Sequence, residues 1–164
     1  MNRFFEKISY KQFCNDISLD KDVYDNYILP KRCSKYSAGY DFFAIHDMII
    51  KPGEILKIPT GYKAIMNNDE FLMIVVRSSM GFKYNVRMCN QVGIIDSDYY
   101  NNCDNEGHIW ISLQNEGDKD YIIKKDTSYA QGIFLKYLTC NDSVNDKRIG
   151  GIGSSDRKSD VNEK

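Results

Sequence analysis

Short apolar runs, none much longer than a strand, recur between turn signals along most of this chain of 164 residues. Residues 45–50, 55–58, 62–66, 71–76, 109–113, 121–123 and 133–137 are such runs. Pro52-Gly53, Pro59-Thr60-Gly61, Asn67-Asn68-Asp69 and Asn115-Glu116-Gly117-Asp118 punctuate them. Many short strands at this spacing predict an all-β sandwich or barrel. Ile109, Ile111 and Leu113 alternate with Trp110 and Ser112, the pattern of a half-buried strand. Residues 71–76 are apolar on both faces, so that strand should be central or covered by a neighbouring subunit. No convincing helical stripe follows residue 40, and residues 9–29 have room for one short helix. There is no internal repeat.

The length suits one domain. With 22 basic and 23 acidic residues the net charge is -1, so no bulk field recruits nucleic acid or a membrane. No apolar stretch is long enough to span a bilayer, and Met1 through Lys7 lack the apolar segment of a signal peptide. Cys14, Cys33, Cys89, Cys103 and Cys140 are odd in number and lack zinc-site spacing. Reduced thiols in a cytoplasmic protein are the simplest expectation. His46 and His108 are the only histidines and read as structural or exposed.

Chemistry concentrates in a few segments. In Gly93-Ile94-Ile95-Asp96-Ser97-Asp98-Tyr99-Tyr100 an apolar run, reading as a buried strand, ends at two carboxylates one residue apart. On extended backbone they would share a face, which is costly unless a metal, a donor network or a reaction uses them. A strand closing in a polar turn is the plain alternative. Arg77-Ser78-Ser79 ends residues 71–76 with a cation and two hydroxyls, a set suited to phosphate oxygens and equally to a surface turn. Asp41 lies between Tyr40 and Phe42, where a carboxylate needs a partner. Asn90 offers an amide that both donates and accepts. Arg148-Ile149-Gly150-Gly151-Ile152-Gly153-Ser154-Ser155 is rich in donors able to close over a polyanion, a composition shared with a linker.

Taken in order, Ala38-Gly39-Tyr40-Asp41-Phe42-Phe43-Ala44, Arg77-Ser78-Ser79-Met80-Gly81, Asn90 through Tyr100, Tyr129-Ala130-Gln131-Gly132-Ile133-Phe134 and the glycine-rich segment resemble the five motifs of the trimeric dUTPases. The resemblance runs from Ala38 to Ser155 and is nearest to the bacterial and phage type with an aliphatic residue in the fifth motif. It implies a distorted jelly-roll β-sandwich assembling as a homotrimer, with dUTP hydrolysed to dUMP and pyrophosphate with Mg²⁺. Asp96 would be the general base that activates water. Asn90 and Ile95 would lie on the uracil-recognising strand, and Tyr99 would pack under the deoxyribose and exclude a 2′-hydroxyl. Ser78, Ser79, Arg77 and Gln131 would meet phosphate or anchor charge at the subunit interface. Arg148, Ser154 and Ser155 would cover the γ-phosphate. Asp41 would act on the metal through water, with Mg²⁺ held mainly by the triphosphate.

Three departures stand out. Ile152 replaces the usual aromatic of the fifth motif, Ser128 stands where an Arg is common, and the turn of residues 100–108 is long. Tyr100 and Trp110, flanking that turn, are candidate replacements for the missing ring. Residues 1–35 read as an N-terminal extension, 36–140 as the β domain and 141–164 as a glycine-containing arm with a flexible tail. Two rival functions follow from the same resemblance: a dCTP deaminase of this fold, and a nucleotide-dependent regulatory module of phage type that binds a protein partner such as a repressor. Residues 100–108 and the tail would be its surfaces.

Overall fold

The computed structural model describes residues 3–141 and Gly150. Its strands are β1 (Phe4–Lys7), β2 (Tyr40–Phe43), β3 (Met48–Ile50), β4 (Ile55–Pro59), β5 (Tyr62–Ile65), β6 (Glu70–Val76), β7 (Val86–Met88), β8 (Gly93–Asp96), β9 (Trp110–Asn115), β10 (Tyr121–Ile123) and β11 (Ser128–Lys136). The helices α1 (Tyr10–Asp16), α2 (Lys21–Asn26) and α3 (Ser78–Tyr84) are short. Every strand pairing is antiparallel. The largest sheet has the order β2-β11-β6-β8, a second is β4-β9-β7, and β1-β5 and β3-β10 form two-stranded ribbons.

One core joins these sheets. Phe42, Leu72, Ile74 and Ala130 from the first meet Ile58, Ile111, Leu113, Val86 and Met88 from the second in a single apolar cluster. The alternation read in residues 109–113 is physical: Ile111 and Leu113 are fully buried while Trp110 and Ser112 are half-buried. β6 is central, between β11 and β8, as its two apolar faces require. Gly61 makes its predicted turn at φ +79°, and a Cβ there would press on the Tyr27 ring at 3.1 Å. The result is a distorted jelly-roll β-sandwich, the expected class.

Residues before β2 belong to this core. β1 pairs with β5, and Phe5, Ile8, Phe13 and Tyr27 are buried. Phe13 stacks on Tyr27 at 5.5 Å, and Tyr27 donates its hydroxyl proton to the Gly61 carbonyl at 2.7 Å. The N-terminal region holds two helices where one was expected, because Ser9 and Asp20 each cap a new one.

Other expectations need correction. A helix, α3, follows β6 where no helix was expected. It buries only Met80, so it leaves no apolar stripe in the sequence, and Asn85 stops it at φ 53°. The run before Asp96 is an edge strand rather than a buried one: among the described residues β8 has a neighbour only in β6, and Ile94 is 53% exposed. The shared face for Asp96 and Asp98 also fails. β8 ends at Asp96, and Ser97–Tyr99 wind into a 3-10 turn, so the two-residue alternation stops there.

Candidate active site

Among the described residues, the side chains singled out in the sequence fall into two groups, one at the end of β6 and one along its neighbour β8. The first gathers where β2, β11 and the end of β6 meet. Gln131 pairs with Asp41 on one side and with Val75 on the other. Asp41 is 5% exposed, so its charge needs partners, and among the described residues it has two. Cys33 donates its thiol proton to Oδ2 at 2.6 Å, and Arg77 Nε stands 3.7 Å from Oδ1. That hydrogen bond, with the nearby negative charge, pushes the Cys33 thiol pKa up and keeps it a donor. Gly39 has no side chain to obstruct the Gln131 amide, which would otherwise collide with a Cβ at residue 39. Ser78 opens α3 immediately after Arg77, and Ser79 follows in its first turn. A cation thus lies against one buried carboxylate, with a carboxamide on the paired strand and two hydroxyls next in the chain, a set able to bind an anion of several oxygens.

The second group lies along the edge strand. Asn90 is exposed in the turn before β8, and Gln91 takes φ +62° there. Ile95 is half-buried, Asp96 exposed, and Tyr99 4% exposed. The Tyr99 ring is held from behind: its hydroxyl donates to the His108 carbonyl at 3.1 Å and accepts from Asn105 Nδ2 at 2.9 Å. Asp98 is exposed in the 3-10 turn.

Register places Asp96 far from the first group within one chain. Phe71 pairs with Asp96, whereas Arg77 and the two serines follow the other end of β6. The strand between spans roughly 20 Å. Asp96 therefore cannot meet a phosphate held by Ser78 and Ser79 of its own chain.

The candidate covers for a base each have contacts within the chain. Tyr100 donates to Glu6 Oε2 at 2.7 Å, and Lys63 Nζ lies 5.0 Å from its ring centroid. Trp110 pairs with Pro59, its ring 5.4 Å from that of His108. Arg148, Ile152, Ser154 and Ser155 lie outside the described residues. Of the two histidines, His46 is exposed and His108 is buried and hydrogen-bonded, both as expected. The sequence offered no sign of Cys33 or Asn105 as site supports. Both act through contacts made by the folded loops, and only the nearness of residues 100–108 to Tyr99 hinted at one of them.

A family model described as dUTPase matches residues 25–156. The deoxyuridine 5'-triphosphate nucleotidohydrolase of Lactococcus lactis subsp. lactis is 42% identical over 130 residues, covering 77% of this chain and 87% of that protein. The solved dUTPase of Streptococcus mutans superimposes with a TM-score of 0.68 at 34% identity, covering 85% of this chain and 99% of that one. A dUTPase from phage phi11 of S. aureus, solved with a structural Mg(II) ion, shares the fold at TM-score 0.66 and 17% identity. With its antiparallel sandwich, its ordered motifs and these relatives, the chain belongs to the dUTPase family and is a dUTP diphosphatase.

Proposed function

We propose that this enzyme cleaves dUTP between the α- and β-phosphates, with Asp96 as the base, in sites shared between copies of the chain. One observation carries the shared site: Asp96 and the Arg77–Ser79 group stand at opposite ends of β6. Only a second copy can bring one chain's Asp96 to the phosphates held by another's serines, which supports a homotrimer with three such junctions. The exposed apolar Ile94 on the same edge strand supports a partner there.

Asp96 accepts a proton from water as the water oxygen attacks the α-phosphorus. The new P–O bond forms as the bond to the bridging oxygen breaks, and pyrophosphate leaves with that electron pair. Ser78, Ser79 and Gln131 donate to the phosphate oxygens. Arg77, anchored by Asp41, adds positive charge. Asn90 and the backbone at Ile95 receive uracil, and Tyr99 forms the wall beside the sugar C2′. Arg148, Ser154 and Ser155 complete the γ-phosphate end.

Among the described residues no cluster of three His, Cys, Asp or Glu side chains could hold a metal ion by itself. Asp41, a buried carboxylate beside Arg77, would act on Mg²⁺ through water, with the ion held chiefly by the triphosphate. When bound, Mg²⁺ would neutralise charge building on the phosphate oxygens.

Subunit mixing tests the arrangement. Asp96→Asn and the double variant Ser78→Ala, Ser79→Ala should each be inactive alone. Co-refolded, each mixed trimer has one junction joining an intact Asp96 to intact serines, so up to about a quarter of normal activity should return. No recovery in verified mixed trimers would place both groups in one chain's site and refute the shared model.

A further inference from the structure

The long turn after Tyr99 and the first helix were not needed for the mechanism, yet they are bonded to each other and to Tyr99. Asn105 Nδ2 reaches both the Tyr99 hydroxyl, at 2.9 Å, and the His108 carbonyl, at 3.3 Å. Asn102 Nδ2 donates to the Tyr99 carbonyl at 2.8 Å. At Gly107 the loop passes so close that a Cβ would stand 2.7 Å from the Tyr99 carbonyl oxygen, and its φ of +81° suits glycine. The loop therefore wraps the tyrosine on its backbone and its hydroxyl sides.

What holds the loop is α1. Glu106 accepts from Ser9 twice, from the backbone N–H at 2.9 Å and from the hydroxyl at 2.5 Å. His108 is fully buried, and its bonding fixes its tautomer. The Gly61 N–H donates to Nε2 at 2.9 Å, so Nε2 is bare and Nδ1 carries the proton, which it gives to Asp16 Oδ2 at 2.6 Å. Gln12 Nε2 donates to the same oxygen at 2.7 Å. Ser9 and Asp16 thus stand at the two ends of α1, one gripping Glu106 and the other His108. Both precede residues 25–156, the part matched by the family model.

We propose that α1 and residues 100–108 form a positioning device for Tyr99, and that this device sets how strongly the enzyme rejects ribonucleoside triphosphates. The inference rests on Tyr99 being the wall beside C2′. Excluding one hydroxyl by sterics demands a wall that does not yield, since a displacement of about an ångström would admit the extra oxygen. Among the described residues, a tyrosine in a 3-10 turn at the end of this edge strand has no second neighbouring strand to stiffen it. The loop supplies that stiffness, and α1 supplies it to the loop. Asp16, Asn105 and Glu106 are then positioning residues that touch no substrate.

The test measures kcat/KM for dUTP and for UTP in the full-length enzyme. Asp16→Ala and Asn105→Ala should lower the dUTP-to-UTP ratio about tenfold, mostly by improving UTP, with kcat for dUTP within about threefold of normal. Asp16→Asn keeps an acceptor for the His108 Nδ1 proton and should restore the ratio. Glu106→Ala, at a partly exposed side chain, repeats the measurement should Asp16→Ala melt below the assay temperature. Tyr99→Leu reports on the underlying assignment. If it collapses the ratio while the Asp16, Asn105 and Glu106 variants keep it, the positioning device is refuted and the role of Tyr99 stands. An unchanged ratio in Tyr99→Leu refutes the assignment and this inference with it.

Discussion

Asp41 accepts the Cys33 thiol on Oδ2 while its other oxygen faces Arg77. The carboxylate is buried between strands, and these two contacts decide where its charge points. Removing the thiol should free Asp41 to close on Arg77 and draw the guanidinium from the phosphates. Cys33→Ala is expected to raise KM for dUTP about fivefold with little change in kcat, the scale of one hydrogen bond of ~1 kcal/mol. Cys33→Ser, which keeps a donor, should behave as the parent. Equal defects in Ala and Ser variants would show that the thiol's hydrogen bond is not the cause.

Asp96→Asn should cut turnover by more than about a hundredfold while a non-hydrolysable dUTP analogue still binds, because the amide keeps the shape and loses the basicity. Single-turnover pyrophosphate release and isothermal titration together check this. Near-normal turnover would remove Asp96 from the role of base.

Glu70 supplies a pH signature at the far end of β6. Arg3 Nε donates to its Oε2 at 2.7 Å and Asn67 contributes a backbone and a side-chain donor, so the carboxyl falls from 4.5 to about 2, the Arg3 bond being the largest cause. A native pKa below the unfolded one stabilises the fold above about pH 4.5, and the contribution disappears as pH falls toward about 2. Arg3→Ala should lower the Tm near neutral pH and shrink the Tm difference between about pH 6 and about pH 3. Parallel Tm-versus-pH curves for parent and variant would contradict this pairing.

His108 acts at higher pH. Burial lowers its pKa below 6.5, against the opposing pull of Asp16. The unfolded chain therefore binds the proton first, so stability is complete above about pH 6.5 and declines as pH falls toward the native value. His108→Gln should cost stability at neutral pH and lose this limb of the Tm profile, measurable by circular dichroism melts from about pH 8 to about pH 5. A limb that persists in His108→Gln would have to come from another group.

Much of the strand content was readable because short strands announce themselves locally. Residues 121–123 coincide with β10, and residues 71–76 with nearly all of β6, since period, apolarity and flanking turns are properties of neighbouring residues. β1, β2 and β7 went unread as strands, and α3 left no stripe because it buries a single side chain. The residues suited to phosphate were also legible, as a cation followed by two hydroxyls is a chemical statement made in consecutive letters.

What the sequence determined by itself, then, was the class of fold, the five ordered segments and the side chains able to do the chemistry. Tertiary structure alone decided their distribution. The antiparallel register of β6 and β8 sets Asp96 opposite Phe71 and so removes it from Arg77 of the same chain, a separation on which the proposed shared site rests. Folding likewise brought Ser9 to Glu106 and Asp16 to His108 across more than half the chain. The physical reason is range: propensity and periodicity act over a few residues, whereas register, burial and buried hydrogen bonds are settled between segments that meet only when the core closes.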